Sequence, residues 1–287
     1  MAGMKGLTLG IALGLTSLGS MAQENYKPKY NTLAHKMLET SGQKYITPKT
    51  LDEIIDSSKK LIEKKGYSNL ELPLQLGFLA ENMVSDPFVQ LGSDRMATVL
   101  LGIAEENNLP IYGVLMPDNS YGYIRMRWDP DGKHDAANPE NPINKGDFSW
   151  NPTTIVFFND EKEPTMSKKE LLGLSHYKYA KRLFRKKEFK KAIKKCNKAI
   201  NLFPDLASSY ELKGDCFYYS KKNKKAIKPY SKAIKKDPKL MNYIKRGCAF
   251  MKINENKKAL EDYEKAKKLE TNGELSVYKS FENLKIK

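Results

Sequence analysis

Acidic side chains are concentrated between residues 129 and 140, at a spacing that could bind a metal ion. The residues at ligating positions of an EF-hand calcium loop are Asp129, Asp131, Asp135 and Glu140. Lys133, however, stands at the fifth position, and His134 stands at the sixth, where the loop requires glycine for its sharp turn. We therefore predict no calcium site and no other metal site in this segment.

The three histidines are the other candidates for proton transfer or metal binding. His134 precedes Asp135, but adjacent residues on a turn rarely face each other, so we expect an exposed imidazole. His35 and His176 are isolated, and no cysteine and histidine residues have the spacing of a zinc site. Gly92 to Asp94 lacks the Gly-x-Ser-x-Gly pattern of α/β-hydrolases, and there is no glycine-rich phosphate loop. The sequence therefore predicts neither a cofactor nor a standard catalytic motif.

The chain around these residues has the pattern of an α+β domain, which we place at residues 23–160. A capping box that starts at Thr50 and the apolar spacing after it predict a helix that stops at Gly66. A second helix is expected between Leu70 and Val84. Met96 to Glu106 is almost continuously apolar in its first part, so it predicts a buried helix.

Strand patterns follow this buried helix. Apolar runs rich in β-branched and aromatic residues lie at Ile111 to Met116, Tyr121 to Trp128 and Thr153 to Phe158. Residues 136–152 are rich in Asn, Pro and Gly, and we expect them to form a loop. A helix before an antiparallel sheet indicates an α+β fold.

This order of residues resembles the transglutaminase-like domains of bacterial proteins, which have a papain-like fold and are in some cases joined to helical repeats. The matching residues are Gly92-Ser93, Ala97, Leu109-Pro110, Gly113-Val114, Pro117 and Tyr123-Ile124-Arg125. The resemblance extends from Gly92 to about Asn151. It implies a nucleophile at the start of the buried helix, a base at the start of the second strand and an acidic or amide residue on the next strand.

At these catalytic positions the chain departs from the family. Ser93 stands where the family has its nucleophilic cysteine, Tyr121 stands where it has histidine, and Asp135 is the nearest candidate for the third residue. Such a mechanism needs a thiolate activated by an adjacent imidazole. A serine without a base is a weak nucleophile, and tyrosine, with a pKa near 10, is a poor base. We therefore predict a domain without the chemistry; the alternative is a hydrolase or acyl-transfer enzyme that uses Ser93 with an unrecognised base.

The second half of the chain repeats at intervals of 34 and then 33 residues. Small residues recur at Ala180, Gly214 and Gly247, at Ala192, Ala226 and Ala259, and at Ala199, Ala233 and Ala266. Two helices pack closely only where their crossing points carry small side chains, and Pro204 and Pro238 close the first two units. The pattern is similar to the tetratricopeptide repeat (TPR) family. It predicts an all-α solenoid at residues 167–285, with units near 173–206, 207–239 and 240–272 and then a capping helix.

The first helix of each unit is expected to line a groove that binds a protein partner. We expect its exposed positions to be Tyr177, Lys181, Arg185, Glu211, Asp215, Tyr218, Tyr219, Ile244, Met251 and Lys252. Aromatic residues beside charges of both signs suit an extended peptide or a partner helix. Some of the tyrosines could instead pack between units. The prediction is an adaptor or scaffold.

The net positive charge of the chain comes from the half that contains the repeats. From Met166 onwards there are 34 Lys and Arg and 13 Asp and Glu, which gives +21, whereas the whole chain has a net charge of +16. The remaining residues therefore carry −5. Most of the lysines come in pairs on the second helix of a unit, which predicts a solvated outer face. Binding of a polyanion by this basic half is a third functional hypothesis.

The first 22 residues are typical of an export signal. Lys5 precedes an apolar run from Leu7 to Leu18, and a small-x-small pattern ends at Ala22. The run is shorter than the roughly 20 residues of a membrane-spanning helix. We expect cleavage near Ala22, a mature chain without a transmembrane span, and a periplasmic or secreted protein. One disulfide among Cys196, Cys216 and Cys248 is possible there.

Overall fold

The computed structural model describes residues 26–41, 46–65, 72, 75–76, 79–80, 83, 93–115, 124–128, 146–151, 154–158 and 165–270. Its elements before the repeats are α1 (Leu33–Ser41), α2 (Pro48–Lys65), α3 (Ser93–Asn107), β1 (Ile111–Leu115), β2 (Ile124–Trp128), β3 (Gly146–Asn151) and β4 (Thr154–Phe158). The repeats contain α4 (Lys168–Arg185), α5 (Phe189–Leu202), α6 (Ala207–Tyr219), α7 (Asn223–Lys236), α8 (Leu240–Met251) and α9 (Asn256–Lys267). The signal segment and the predicted C-terminal capping helix lie outside the described residues. In the described part, no helix is long and apolar enough to cross a membrane.

Helix α2 begins two residues before the predicted start at Thr50. Pro48 occupies the first helical position, where its missing N–H costs nothing and its fixed φ suits the helix. The hydroxyl oxygen of Thr47 accepts a hydrogen bond of 3.0 Å from the amide of Thr50 and so caps the helix. The predicted capping box at Thr50 is therefore wrong, because Thr47 and Pro48 form the start instead.

The buried helix is confirmed as α3, which packs against α1, α2 and the sheet. Most of its side chains from Met96 to Ala104 are buried, as the apolar run predicts. Gly102 marks its closest approach to α1, because a Cβ atom there would lie 2.6 Å from Cβ of Ala34. Between α2 and α3, the described residues are helical, and three of them (Leu72, Leu76 and Ala80) are buried at a four-residue spacing.

The sheet has four antiparallel strands in the order β1-β2-β3-β4. Three strands are close to the predicted runs, but β3 lies inside the predicted loop at residues 136–152 and is a correction. Its short sequence is flanked by turn-forming residues, and backbone pairing with two neighbours fixes it as a strand. Phe148, for example, is opposite both Met126 of β2 and Phe157 of β4.

The repeats form three antiparallel helical hairpins, α4–α5, α6–α7 and α8–α9, that stack in sequence order. The predicted capping box at the start is confirmed, since Ser167 and Glu170 exchange side-chain to backbone hydrogen bonds. The small residues lie at helix crossings. A Cβ atom on Gly214, for instance, would lie 2.5 Å from the buried ring of Tyr230 in the same hairpin.

The turn inside each hairpin contains one residue in the left-handed region. Lys187, Lys221 and Asn254 have φ values of 61°, 61° and 60° and occupy equivalent places in the three units. Each turn returns at least three amide hydrogen bonds to the end of the first helix, for example 2.8 Å from Lys187 to the carbonyl of Phe184. The repetition therefore extends to backbone conformation, although glycine is absent from all three places.

One hydrophobic core runs from the N-terminal elements into the first hairpin. Leu33 and Met37 of α1 share it with Leu171 and Leu174 of α4. Glu105 of α3 links α1 to α4 at this shared core, because its carboxylate accepts hydrogen bonds from the Leu33 amide and from Lys168 at 2.6 Å. Burial opposes ionisation of Glu105, but these two donors lower its pKa below the usual range. The sheet-bearing half therefore packs directly on the repeats.

Candidate binding groove

The first helices of the three hairpins enclose a cavity of about 390 Å³ on one face of the stack. Besides α4, α6 and α8, the segment before α8 contributes Asp237 and Lys239. Its walls carry both apolar groups, such as Phe184 and Met241, and charged groups of both signs. A cavity of this kind can hold a side chain or a short peptide segment.

An ion-pair network spans the middle of the groove. Nζ of Lys245 on α8 donates hydrogen bonds to the carboxylates of Glu211 and Asp215 on α6, at 2.9 Å for Oδ2 of Asp215. The Tyr230 hydroxyl donates to the other Asp215 oxygen at 2.8 Å. The network therefore ties the second hairpin to the third and fixes three charges at the groove.

Burial and the neighbouring charges together shift the pKa values of the residues in the network. Burial would lower the pKa of Lys245, but Asp215 and Glu211 outweigh that effect and raise it. Burial raises the pKa of Asp215 against the opposing charge of Lys245. Tyr177 of α4 lines the same cavity, and burial followed by the charge of Glu211 raises its pKa to about 12. Lys245 is thus charged, and Tyr177 is neutral, at physiological pH.

At the α4 side of the groove, two cations remain available. Lys181 is half-buried and Arg185 is exposed, and both line the cavity. Across the described ranges, neither has an ion-pair or hydrogen-bond partner. Asp237, in contrast, pairs with Lys239 at 2.9 Å. The groove therefore offers free positive charge at one end and, in its centre, one ammonium group paired with two carboxylates.

Of the ten predicted groove positions, five line this cavity: Tyr177, Lys181, Arg185, Glu211 and Asp215. Tyr177 is 8% exposed, however, so its predicted exposure is wrong even though it lines the cavity. Ile244 does not, and its predicted exposure is wrong. It is 1% exposed and packs in the core of the third hairpin, where its apolar side chain faces Tyr263. Met251 packs against that same core, and Lys252 lies exposed at the end of α8 outside the cavity lining.

Tyr218 and Tyr219 lie at the edge of the groove rather than in the cavity. Tyr219 is 62% exposed, and its ring meets that of Phe184, which lines the cavity, edge-on at 5.5 Å between centroids. Tyr218 meets Tyr219 at the same distance and packs against the buried Tyr230 cluster. Tyr219 thus extends the groove with exposed aromatic surface, whereas Tyr218 supports it.

Lys245 is the main residue that the sequence analysis missed. The 33-residue offset between the last two units assigns Ile244 to the groove, but its neighbour Lys245 reaches it. Two signals could have identified it: Lys245 follows Glu211 by 34 residues, and its charge is opposite to that of Glu211 and Asp215. Met241 and Lys239 were missed because the start of the third unit gives no periodic signal.

The catalytic positions implied by the transglutaminase-like resemblance are only partly described. Ser93 begins α3, as the resemblance expects of the nucleophile position. Tyr121 and Asp135 lie outside the described residues, as does the rejected calcium segment. Within the described ranges, no group of His, Cys, Asp and Glu residues could hold a metal ion. Cys196, Cys216 and Cys248 are free thiols.

Comparisons with known proteins identify structures built of similar helical repeats. No family model and no curated protein matches the chain. Solved structures that match include the TPR protein YrrB, described as having an unusual peptide-binding site, at 20% identity and a TM-score of 0.35; the match covers 38% of this chain and 56% of that one. The yeast Sti1 TPR2B domain in complex with an Hsp70 peptide matches at 25% identity and 0.36, over 39% and 90%.

A third similar structure is MamA, at 16% identity and a TM-score of 0.33, over 76% of this chain and 87% of that chain. TM-scores of 0.33 to 0.36 do not establish a fold, so we assign it from the helical hairpins of this chain. Three stacked antiparallel helix pairs with a repeat of 33 or 34 residues are the arrangement of a TPR solenoid. The structural neighbours are TPR proteins, and none of them is described as a transglutaminase-like protein.

Proposed function

We propose that the chain is a protein-binding adaptor or scaffold whose groove holds an extended segment of a partner. The observation that carries this proposal is the cavity between α4, α6 and α8, bordered by the exposed ring of Tyr219. Repeat solenoids bind partners on their concave surfaces, and the stacked helices hold such a surface rigid. A preformed surface limits the ordering entropy lost by the protein on association.

The charges of the groove indicate what the partner segment carries. Lys181 and Arg185 would meet a carboxylate on the partner, whereas the Lys245 network, with two carboxylates and one ammonium, offers it no free positive charge. Tyr219 and Phe184 would pack against an apolar or aromatic side chain. A segment with an acidic residue beside an apolar one is therefore the best fit.

Site-specific photocrosslinking tests this function. A photoreactive residue at Met241, which lines the groove, is expected to capture a discrete protein from the source cell. The matched control places the same residue at Lys228, which is exposed on α7 away from the groove. Capture at position 228 alone, or equal capture at both positions, would contradict groove binding.

For the N-terminal half, we propose a transglutaminase-like module without catalytic activity. The support is the residue types: serine at position 93, at the start of α3, and tyrosine at position 121. A serine-reactive probe is expected to leave Ser93 unlabelled, because no imidazole stands at the expected base position. Labelling of Ser93 that disappears in Ser93→Ala would establish the enzymatic alternative instead.

Export is also a proposal, supported by the apolar run and the small-x-small pattern that ends at Ala22. N-terminal sequencing of protein from the source cell is expected to begin at Gln23. A mature protein that still begins at Met1 would contradict it.

A further inference from the structure

The outer face of the first two hairpins has a charge pattern that the groove does not use. Helix α5 contains five lysines between Lys190 and Lys198, helix α7 contains six between Lys224 and Lys236, and neither contains Asp or Glu. Helix α9 occupies the corresponding place in the third hairpin and contains four lysines with three acidic residues. The one-sided charge is therefore a property of two particular helices and not of the repeat.

Within the described ranges, most of these eleven lysines have no ion-pair partner. Lys191 pairs with Glu188 at 2.6 Å and Lys236 pairs with Asp205, while Lys195 and Lys232 lie over tyrosine rings. The other seven are exposed and have no partner among the residues that the structure describes. Unpaired ammonium groups keep their full charge available to a ligand.

The lysines of the two helices lie on neighbouring elements. Helix α6 packs against both α5 and α7, and Lys236 of α7 pairs with Asp205, which follows the end of α5. Lys213 of α6 lies beside α7, where burial and then Lys232 and Lys228 lower its pKa. Positive charge therefore extends from α5 towards α7. None of the groove-lining residues belongs to α5 or α7, so this surface and the groove are separate.

The side chains on this surface restrict the kind of anion that it fits. Helices α5 and α7 contain no arginine, so they offer no planar fork for bidentate recognition of single phosphates or bases. Their aromatic residues are half-buried Phe189 and buried Tyr230, so no exposed ring is available for stacking on nucleotides. Hydrated ammonium groups spread over the outside of two helices instead complement a plane of negative charge.

We propose that the α5–α7 outer face docks on the surface of an anionic phospholipid bilayer. Clusters of four to eight basic residues bind such surfaces by diffuse attraction, without inserting apolar groups. Docking through this face would leave the groove open on the far side of α4 and α6, so that a protein partner could bind at the same time.

Vesicle flotation tests this docking with two variants of equal net charge. The first, Lys194→Glu with Lys228→Glu, reverses two unpaired outer lysines. The control, Lys257→Glu with Lys265→Glu, reverses two exposed lysines of the balanced helix α9. Vesicles contain either phosphatidylcholine alone or phosphatidylcholine with about one-third phosphatidylglycerol, at salt from about 0.05 M to about 0.5 M.

The wild-type chain is expected to float with anionic vesicles at low salt and to be released at high salt. The first variant is expected to partition at least about 25-fold more weakly, because each lysine near an anionic surface contributes about fivefold. The α9 control is expected to stay within about threefold of wild type. Circular dichroism checks that both variants are folded. Binding of the partner recovered by crosslinking at position 241 provides a second check.

Three results would overturn the proposal. The first is wild-type partitioning that is no stronger with anionic than with neutral vesicles. The second is an equal loss in both variants, which would mean that only the net charge matters. The third is binding of duplex DNA that needs Lys194 and Lys228 while vesicles do not bind, which would assign the face to a linear polyanion.

Discussion

Charged residues inside the repeat array and on its outer face are arranged in opposite ways. Inside, Lys245 is held by two carboxylates, and Arg246 makes two hydrogen bonds to Asp262, at 2.7 and 2.6 Å. Outside, most lysines of α5 and α7 face water and have no partner in the described part of the chain. The same residue type therefore joins hairpins in one place and leaves its charge available for binding in the other.

This difference predicts which substitutions should reduce stability and which should reduce binding. A buried charge that loses its partner keeps its desolvation cost, so its removal reduces stability. An exposed lysine contributes little to folding, so its removal should affect only binding. Stability measurements on matched pairs of variants can therefore separate the two kinds of charge.

The largest effect is expected for Asp262→Ala. The side chain of Asp262 is 3% exposed, and its loss would leave the Arg246 guanidinium, which also bonds Ser231 at 2.8 Å, without its counter-ion between the second and third hairpins. We expect the free energy of unfolding to fall by about 3 kcal/mol. Urea denaturation measures it. The control Glu261→Ala removes an exposed neighbour, and a similar loss in both variants would remove the distinction.

A smaller effect is expected for Lys245→Met. The change leaves Glu211 and Asp215 facing each other, but water reaches this partly exposed site, so we expect a loss of about 2 kcal/mol. Lys228→Met on the outer face should change stability by less than about 0.5 kcal/mol. The same denaturation experiment applies, and equal stabilities of the two methionine variants would show that the groove network is not structural.

The outer lysines act on the buried imidazole of His176, which makes the stability of the fold depend on pH. Burial first, and then Lys195 and Lys198 of the outer face, lower the pKa of His176 to about 4. The unfolded chain binds this proton below about pH 6.5, whereas the folded chain does not until about pH 4. This contribution to stability is therefore full above pH 6.5 and is lost as the pH falls towards 4, by about 1.5 kcal/mol after allowance for water near the ring.

The expected loss between pH 6.5 and 4 is measured as the difference between wild type and His176→Gln, since carboxylates titrate in both. Parallel stability curves would contradict the assigned pKa. In NMR titration, Lys198→Gln is expected to move the His176 pKa back towards its ordinary value. An unchanged pKa would mean that the outer charge does not reach the imidazole.

The repeat half could be predicted from sequence because its signals are local and recur. Small residues at helix crossings, such as Gly214 against Tyr230, and the capping box at Ser167 depend on neighbours at a fixed spacing. Strand β3 could not be predicted, because its pairing partners Met126 and Phe157 are supplied by other strands. The same holds for the shared core at Leu33 and α4, which no local pattern encodes.

Part of the cavity lining follows from the repeat, and one residue of its central ion-pair network was missed. Tyr177, Lys181, Arg185, Glu211 and Asp215 follow from the repeat, and all five line the cavity. Ile244 was assigned in place of Lys245 because a one-residue change in the repeat length rotates the helix by about 100°. The 34-residue spacing from Glu211, together with the complementary charge across hairpins, could have distinguished these two neighbours.

The most direct test compares the affinity of the partner recovered by crosslinking at position 241 for three forms of the chain. These are the wild type, the groove variant Lys181→Glu with Arg185→Glu, and the outer-face variant Lys194→Glu with Lys228→Glu. Groove binding predicts at least about tenfold weaker binding by the groove variant and wild-type affinity for the outer-face variant. Loss of affinity only in the outer-face variant, or unchanged affinity in both, would contradict it.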